Sequence, residues 1–219
     1  MTSRLAAKIC GLSTPETVTA ALDGGAALVG FVFFDASPRK VTPHLAAQLA
    51  QSVRGRAKIV AVTVDADDAA LDAIMATLKP DLIQLHGREP PSRAAQVAAR
   101  TGAGVIKALP VAEASDIAAA HAFDGAVDHL MFDARPPKDS ALPGGMGAAF
   151  DWTLLAGRRF ERPHFLAGGL NPWNVAEAAR LSGAPLLDVS SGVERGPGLK
   201  DAGLIASFLE AVRRIDHGV

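Results

Sequence analysis

Residues 28–33 read Leu-Val-Gly-Phe-Val-Phe, a run in which no side chain is polar. A strand with one face in water alternates apolar and polar residues, whereas a strand of a parallel sheet, covered on both faces, is continuously apolar. The run therefore predicts a strand that is buried on both sides. Seven further short runs, most of them continuously apolar, lie at residues 6–9, 58–62, 82–85, 105–109, 129–132, 164–167 and 186–189.

Segments with helical periodicity separate these runs. Apolar residues spaced three and four apart form one face of a helix. Two such stripes consist of Leu71, Ile74, Met75 and Leu78, and of Leu204, Ile205, Phe208, Leu209, Val212 and Ile215. The strings Ser13-Thr14-Pro15-Glu16 and Asn171-Pro172 place a capping residue ahead of a proline, which is typical of a helix start. The chain is therefore an alternation of strands and helices.

Eight strand-helix units account for the whole chain at about 27 residues per unit. No Ser-rich or charged linker separates them, so residues 1–219 are expected to form a single domain. An open doubly wound sheet has similar local patterns, but eight equal units can close a sheet and remove both of its edges. We therefore predict an α/β fold, a single (β/α)8 TIM barrel, with its functional groups at the carboxyl ends of the strands.

Composition excludes several classes of function. The chain has 219 residues with 22 Lys and Arg against 23 Asp and Glu, which leaves no basic field for nucleic acid. The longest apolar stretch, residues 26–34, is far shorter than the ~20 residues of a membrane-spanning helix. Residues 1–12 resemble no secretory signal, and the single Cys10 cannot form an internal disulfide. These features predict a cytoplasmic protein with neither a nucleic-acid nor a membrane partner.

Lys8 and Cys10 lie two residues apart at the end of the first predicted strand, so both side chains point the same way. A thiol at this position can act as a general base or a nucleophile, and a neighbouring cation favours the thiolate. A free cysteine more often behaves as a small buried hydrophobe. The residues alone leave both interpretations open.

Asp133 directly follows the apolar residues of the sixth strand. A carboxyl group in apolar surroundings suits a general acid, although an aspartate here could also cap the loop. The connection that follows, residues 134–150, is the longest in the chain and contains Gly144-Gly145-Met146-Gly147. Long loops with glycines over a barrel mouth often act as lids.

The last two strands end in glycine-bearing loops. Glycines let backbone N–H groups approach a ligand, and a short helix beginning near Ser190 would direct its positive end to the same point. Phosphate binding after strands 7 and 8 is frequent in barrels, although the glycines could simply form turns. We favour a phosphate site formed by Gly168, Gly169, Ser190, Ser191 and Gly192.

Two further residues at strand ends have two interpretations each. Arg39 follows the Ser37-Pro38 corner, and its planar fork matches a carboxylate, but an arginine beside Lys40 could equally be solvated. His86 could contact a substrate or be a hydrogen-bonded structural residue. Scattered histidines with one cysteine predict no metal site, and the lack of GxGxxG after the first strand disfavours a dinucleotide cofactor.

Taken together and in order, these motifs resemble the phosphoribosylanthranilate isomerase family over essentially the whole chain. The matching strings are Lys8-Ile9-Cys10-Gly11, Ser37-Pro38-Arg39, Gln84-Leu85-His86-Gly87, Phe132-Asp133, Gly144-Gly145-Met146-Gly147, Phe150-Asp151-Trp152, Leu166-Ala167-Gly168-Gly169-Leu170 and residues 188–194. One departure is Met146, where the family pattern leads us to expect a small hydroxylated residue such as Thr.

The resemblance implies a cofactor-independent Amadori rearrangement in tryptophan biosynthesis, with N-(5-phosphoribosyl)anthranilate as the small-molecule substrate. It implies that Asp133 is the general acid and Cys10 the general base. Arg39 would hold the anthranilate carboxylate, and the two glycine loops would hold the phosphate. The remaining expected substrate-binding residues are Lys8, His86, Gly145, Gly147 and Asp188, with Asp188 in a supporting role.

Three alternatives remain. A ProFAR-type isomerase performs the same rearrangement on a two-phosphate substrate, but those barrels usually have an acid on the first strand, where this chain has Cys10. Lys8 could instead form a Schiff base. A non-catalytic barrel could keep the phosphate site alone. The sequence leaves the choice between monomer and homodimer open.

Overall fold

The structure is a computed structural model, and it describes residues 5–135, 144, 147 and 149–216. Eight parallel strands form a closed barrel in which each strand pairs with the next one and the last pairs with the first. In chain order they are β1 Ala6–Cys10, β2 Leu28–Phe33, β3 Lys58–Thr63, β4 Leu82–Leu85, β5 Gly104–Val111, β6 His129–Ala134, β7 His164–Leu166 and β8 Leu186–Val189. The predicted α/β fold and eight-stranded barrel are confirmed.

Helices follow most of the strands. They are α1 Pro15–Asp23, α2 Pro43–Ala50, α3 Asp68–Thr77, α4 Pro91–Thr101, α5 Ala114–Ala118, α6 Val175–Ser182 and α7 Ala202–Asp216. Short 3-10 helices span Ala119–Phe123, Trp152–Leu155 and Ser191–Val193, and an antiparallel pair of strands, β9 Glu194–Gly196 and β10 Leu199–Lys200, precedes α7. Across the described ranges, every helix is too short or too polar to cross a bilayer.

The sixth unit departs from the repeat. Among its described residues, the connection between β6 and β7 contains the 3-10 helix Trp152–Leu155 in place of a full α-helix. This 3-10 helix begins at Asp151, whose carboxylate accepts the N–H of Thr153.

The two faces of the strands build two separate cores. Outward side chains pack against the helices, and the stripe on α7 buries Ile205, Phe208 and Leu209 as its spacing predicts. Alternate residues of the strands turn inward and form the second core. Its members include Cys10, Leu28, Val32, Val60, Val62, Leu82, Ile106, Ala108, Met131, Phe165 and Ala167.

Some of the strand residues that point into the barrel are polar. Lys8, Gln84, Asp133 and Asp188 fall in step with the apolar residues of the inner core, and all four are buried. A buried charge or amide is costly unless it is paired. The barrel interior is therefore where this chain concentrates its polar chemistry.

Candidate active site

Lys8 and Cys10 extend into the barrel over Gly30 of the neighbouring strand. A Cβ atom at Gly30 would lie 3.2 Å from the Sγ of Cys10 and 3.3 Å from the Cε of Lys8, so the absence of a side chain there gives both residues room. The ammonium of Lys8 donates to Oδ1 of Asp188 at 2.7 Å. Asp188 lies beside Lys8 in the β1–β8 pairing, at the point where the barrel closes.

Burial is the largest effect on the Cys10 thiol, and it raises the pKa of Cys10 above its ordinary value. The positive charge of Lys8 acts in the opposite direction but is countered by Asp188. Burial also lowers the pKa of Lys8, yet Asp188 and Cys10 together outweigh it and the pKa of Lys8 is raised. The positive charge of Lys8 does favour the thiolate, but burial outweighs it and Asp188 counters part of it, so the pKa of Cys10 stays raised in the protein without ligand.

Asp133 meets a histidine across the barrel mouth. Its Oδ2 lies 3.1 Å from Nε2 of His86, and its Oδ1 accepts the backbone N–H of Ala134 at 2.9 Å. The other ring nitrogen of His86, Nδ1, lies 2.8 Å from Nε2 of Gln84. The structure thus makes His86 a partner of Asp133, while its contact with a substrate remains a prediction.

A buried ion pair holds the loop that carries His86. Glu89 accepts the ammonium of Lys107 at 2.7 Å and the N–H of Gly87 at 2.9 Å through Oε2, and the N–H of Asp65 at 2.8 Å through Oε1. Asp65 adopts a left-handed conformation, with a φ of 48°. Both side chains of the ion pair are almost inaccessible to solvent, so the loop after β4 is tied to β3 and β5.

The glycine-rich connection after β6 reaches over two parts of the site. A Cβ at Gly144 would lie 2.4 Å from Oδ2 of Asp133 and 2.8 Å from Nε2 of His86, so only glycine fits against this contact. A Cβ at Gly147 would lie 3.7 Å from the hydroxyl of Ser191. Gly145 and Met146 lie outside the described residues. The connection therefore spans from the expected acid to the expected phosphate loops.

The residues expected to bind phosphate are brought together. Gly168 and Gly169 both have left-handed backbones, with φ of 83° and 68°. A Cβ at Gly192 would lie 1.9 Å from the carbonyl oxygen of Leu170, so the loops after β7 and β8 touch through their backbones. A 3-10 helix, Ser191–Val193, begins where the sequence predicted a short helix.

The loop after β8 is also joined to β1. The hydroxyl of Ser190 donates to the carbonyl of Cys10 at 3.3 Å. The candidate phosphate loops therefore lie next to the candidate base.

Arg39 lies against the loop after β8. Its Nε donates to Oε1 of Glu194 at 2.7 Å and its Nη2 donates to Oε2 at 2.9 Å, which is a bidentate ion pair. Lys200 donates to the same Oε1 at 2.6 Å and to the carbonyl of Ser190 at 2.8 Å. One carboxylate thus neutralises one of two cations, and the triad Arg39–Glu194–Lys200 keeps a net positive charge.

Burial and the neighbouring charges shift the pKa values of Glu194 and Lys200. Burial acts most strongly on Glu194 and disfavours its charge, but Arg39 and Lys200 outweigh burial and lower the pKa of Glu194. Burial lowers the pKa of Lys200, and Glu194 offsets only part of this effect. Arg39 also lies over Gly11, where a Cβ would be 2.8 Å from its Cδ. The residues around the guanidinium therefore fix its position.

A family model described as N-(5'phosphoribosyl)anthranilate (PRA) isomerase matches residues 7–211. The chain belongs to the N-(5'-phosphoribosyl)anthranilate isomerase family. An N-(5'-phosphoribosyl)anthranilate isomerase of Caulobacter vibrioides is 68% identical over 209 residues, 95% of each chain. The enzyme of the same name from Mesorhizobium japonicum is 52% identical over 206 residues, 94% of each chain.

Solved structures of this isomerase family have the same architecture. The phosphoribosyl anthranilate isomerase of Thermotoga maritima is 31% identical, with a TM-score of 0.85 over 95% of this chain and 98% of that one. A phosphoribosyl anthranilate isomerase in complex with reduced 1-(o-carboxyphenylamino)-1-deoxyribulose 5-phosphate is 29% identical, with a TM-score of 0.81 and the same coverage. The fold of this chain therefore matches that of solved family members over nearly its whole length.

Sequence reasoning missed several polar residues of the site. Gln84 and Lys107 stand as single polar residues inside apolar strand runs, and this pattern could have marked them as buried and partnered. Glu194 ends the matching string 188–194 but received no role of its own, and Lys200 had no comparable signal. Among the side chains that the structure describes, no group of three or more His, Cys, Asp or Glu is placed to hold a metal ion.

Proposed function

We propose that this barrel converts N-(5'-phosphoribosyl)anthranilate into 1-(2-carboxyphenylamino)-1-deoxyribulose 5-phosphate, with Asp133 as general acid and Cys10 as general base. The isomerase function in tryptophan biosynthesis follows from the family to which the chain belongs. The observation that carries the assignment of roles is the placement of the two groups. Asp133 and the sole cysteine are buried, inward-facing residues at the carboxyl ends of β6 and β1.

The rearrangement needs an acid and a base that act at different atoms. Asp133 gives its proton to the ring oxygen of the ribose, so that the ring opens to an iminium ion instead of expelling an alkoxide. Cys10 then removes the proton from the second carbon, and the electron pair moves into the enolamine. A raised thiol pKa makes Cys10 a poor base before substrate binds. The positive charge of the iminium ion adds to that of Lys8 and stabilises the thiolate against the effect of burial.

Charged anchors at both ends of the substrate would position the reacting carbons. The net positive charge of the triad Arg39–Glu194–Lys200 supports binding of the anthranilate carboxylate at Arg39. The adjoining loops with Gly168, Gly169 and Ser190–Gly192 offer backbone N–H groups to the phosphate. Lys8, Asp188, His86, Gly145 and Gly147 complete the proposed set around the sugar.

The direct test is loss of the fluorescence of freshly generated phosphoribosylanthranilate. We expect turnover by the wild type, and a fall in kcat of at least about 10²-fold for Cys10→Ala and for Asp133→Asn. Asp35→Asn, a matched replacement on the exposed loop after β2, keeps wild-type turnover. If the Cys10 and Asp133 variants also kept it, both roles would be wrong, and a barrel that only binds phosphate would show no turnover at all.

Several properties of the whole protein are part of the proposal. We propose that residues 1–219 act as one cytoplasmic barrel domain that needs no cofactor, and that the chain works as a monomer or a homodimer. Support for the last point comes from a relative, because monomers have been generated from the dimeric enzyme of Thermotoga maritima, which is 30% identical. Light scattering on the eluting protein gives the oligomeric state, and undiminished activity in EDTA is expected.

A further inference from the structure

Gln84 is an amide buried where the barrel is otherwise apolar. It has no solvent exposure, and Leu82 and Met131 occupy the inner core around it. Its Nε2 lies 2.8 Å from Nδ1 of His86 and 3.4 Å from the sulfur of Met131. Its Oε1 has no hydrogen-bond partner within the part of the chain that the structure describes. A carboxamide with one end unsatisfied is costly to bury, so its contact with His86 needs an explanation.

His86 connects this amide to the proposed acid. Its Nε2 faces Oδ2 of Asp133 at 3.1 Å, on the opposite side of the ring from Gln84. A neutral imidazole carries one hydrogen, and the group that faces one nitrogen decides which nitrogen holds it. Gly144 packs directly on the contact between His86 and Asp133, so this nitrogen of the ring is already occupied and covered.

We propose that Gln84 is a positioning residue for Asp133: through His86 its carboxamide sets the orientation of the imidazole and the tautomer that Asp133 meets. This inference rests on the proposed function, because it takes Asp133 as the acid. It assigns a role in catalysis to a residue that touches neither substrate nor reacting atoms. It also explains why a hydrogen-bond donor occupies this buried position of β4.

The amide fixes one arrangement of the imidazole ring. Its N–H donates to Nδ1, so the imidazole hydrogen lies on Nε2 and is donated to Oδ2 of Asp133. The acidic proton of Asp133 then lies on Oδ1, the oxygen that also accepts the backbone N–H of Ala134.

In the proposed step this proton passes to the ring oxygen of the substrate. The imidazole keeps its hydrogen on Nε2 throughout and donates it to the Asp133 carboxylate that remains.

Gln84→Met tests the role with little change in side-chain volume, because it removes both the donor and the acceptor. We expect kcat to fall by about 10-fold or more while KM stays within about two-fold, since the acid is misplaced and the substrate anchors are untouched. Gln96→Met, the same replacement on the exposed side of α4, leaves both constants unchanged. An unchanged kcat, or a raised KM alone, overturns the proposal.

A second measurement reports on the tautomer without any turnover. Two-bond 1H–15N spectra of protein labelled with 15N at its histidines identify which ring nitrogen of each histidine is protonated. The signals that disappear in His86→Asn are those of His86. We expect a single tautomer with Nε2 protonated in the wild type, a mixture in Gln84→Met, and Nδ1 protonated in Gln84→Glu, which offers only acceptors.

Identical His86 signals in wild type and variants would refute the role of Gln84 even in an active isomerase. If wild-type turnover is absent, the proposed function fails by itself, and these spectra still decide whether Gln84 sets the tautomer. If Gln84→Met does not fold, Gln84→Glu replaces it in both measurements.

Discussion

Burial, more than any neighbouring charge, decides the resting state of the proposed base. Lys8 and Asp188 lie 2.7 Å apart inside the barrel, and Asp188 counters part of the lysine charge that lowers the pKa of Cys10. The sequence placed Lys8 and Cys10 on one side of β1 correctly. It could not reveal Asp188 as the partner, because the two residues are 180 positions apart and meet only through closure of the barrel.

The pKa of Cys10 gives the first prediction at this scale. Because burial raises this pKa above its ordinary value, the rate of alkylation by iodoacetamide is expected to be low at pH 7.5 and to keep rising beyond pH 9. The sole cysteine makes mass spectrometry a direct count of modification, with Cys10→Ser as the unlabelled control. A labelling profile with its midpoint below pH 8.5 would show that the thiolate is favoured after all.

Arg39 supports a second prediction, which concerns substrate affinity. Arg39→Ala is expected to raise KM by roughly 10-fold or more with a smaller change in kcat, because it removes a charge-assisted anchor remote from the reacting carbons. Arg56→Ala, which removes an exposed ion pair with Asp23, is the matched control. Steady-state kinetics decide, and an unchanged KM for Arg39→Ala would remove the carboxylate assignment.

At the scale of elements, the strands were the most predictable part of the fold. The continuously apolar run at residues 28–33 became a strand with these bounds, because burial on both faces leaves little choice of residue. Helix starts were less exact. Asn171 heads a turn, in which its side chain accepts the N–H groups of Trp173 and Asn174, and α6 begins only at Val175.

The site was predictable where residues follow a strand directly and less so across loops. Cys10 and Asp133 are fixed by their own strands, so strand alternation alone orients them. The partner of Arg39 is not local, since Glu194 is 155 positions away and belongs to a β-pair without a periodic signal. Pairings of this kind depend on how loops dock, which local sequence does not encode.

The connection after β6 supports a prediction of its own. Gly144→Ala adds a methyl group within 2.4 Å of the Asp133 carboxylate, so the loop or the acid must move. We expect kcat to fall by roughly 10²-fold while the melting temperature changes little, because the clash lies at the mouth and not in the core. Gly196→Ala, where a Cβ meets only Leu199 at 3.9 Å, is the control. Wild-type kcat in Gly144→Ala would mean that this loop lies elsewhere during turnover.

For the molecule as a whole, two histidines at the amino ends of neighbouring strands couple stability to pH. Burial lowers the pKa of His164 to about 4, and it lowers the pKa of His129 in the same direction. Nε2 of His164 and Nδ1 of His129 are buried and find no hydrogen-bond partner among the described residues. His164 packs instead against the rings of Phe132 and Phe160.

The sign of the effect follows from proton binding. Between pH 6.5 and about 4 the unfolded chain protonates His164 while the folded barrel does not, so the free energy of unfolding decreases as pH falls through this window. We expect a loss of roughly 1–3 kcal/mol, which denaturant titrations at pH 7 and pH 4.5 measure. His164→Phe should reduce this loss, and His44→Phe, at the exposed start of α2, should not. Equal losses in both variants would exclude His164 as the cause.

The seam between β1 and β8 has a consequence for how the chain is made. During translation β1 is synthesised before all other strands and β8 after them. Until β8 is made, Lys8 lacks its partner Asp188, and the strands at the two edges of the open sheet lack a neighbour. A nascent chain without β8 can pair its other strands, but Asp188 and the loop after β8 are still missing from the surroundings of Cys10. The surroundings of the Cys10 thiol are therefore completed only when β8 pairs with β1.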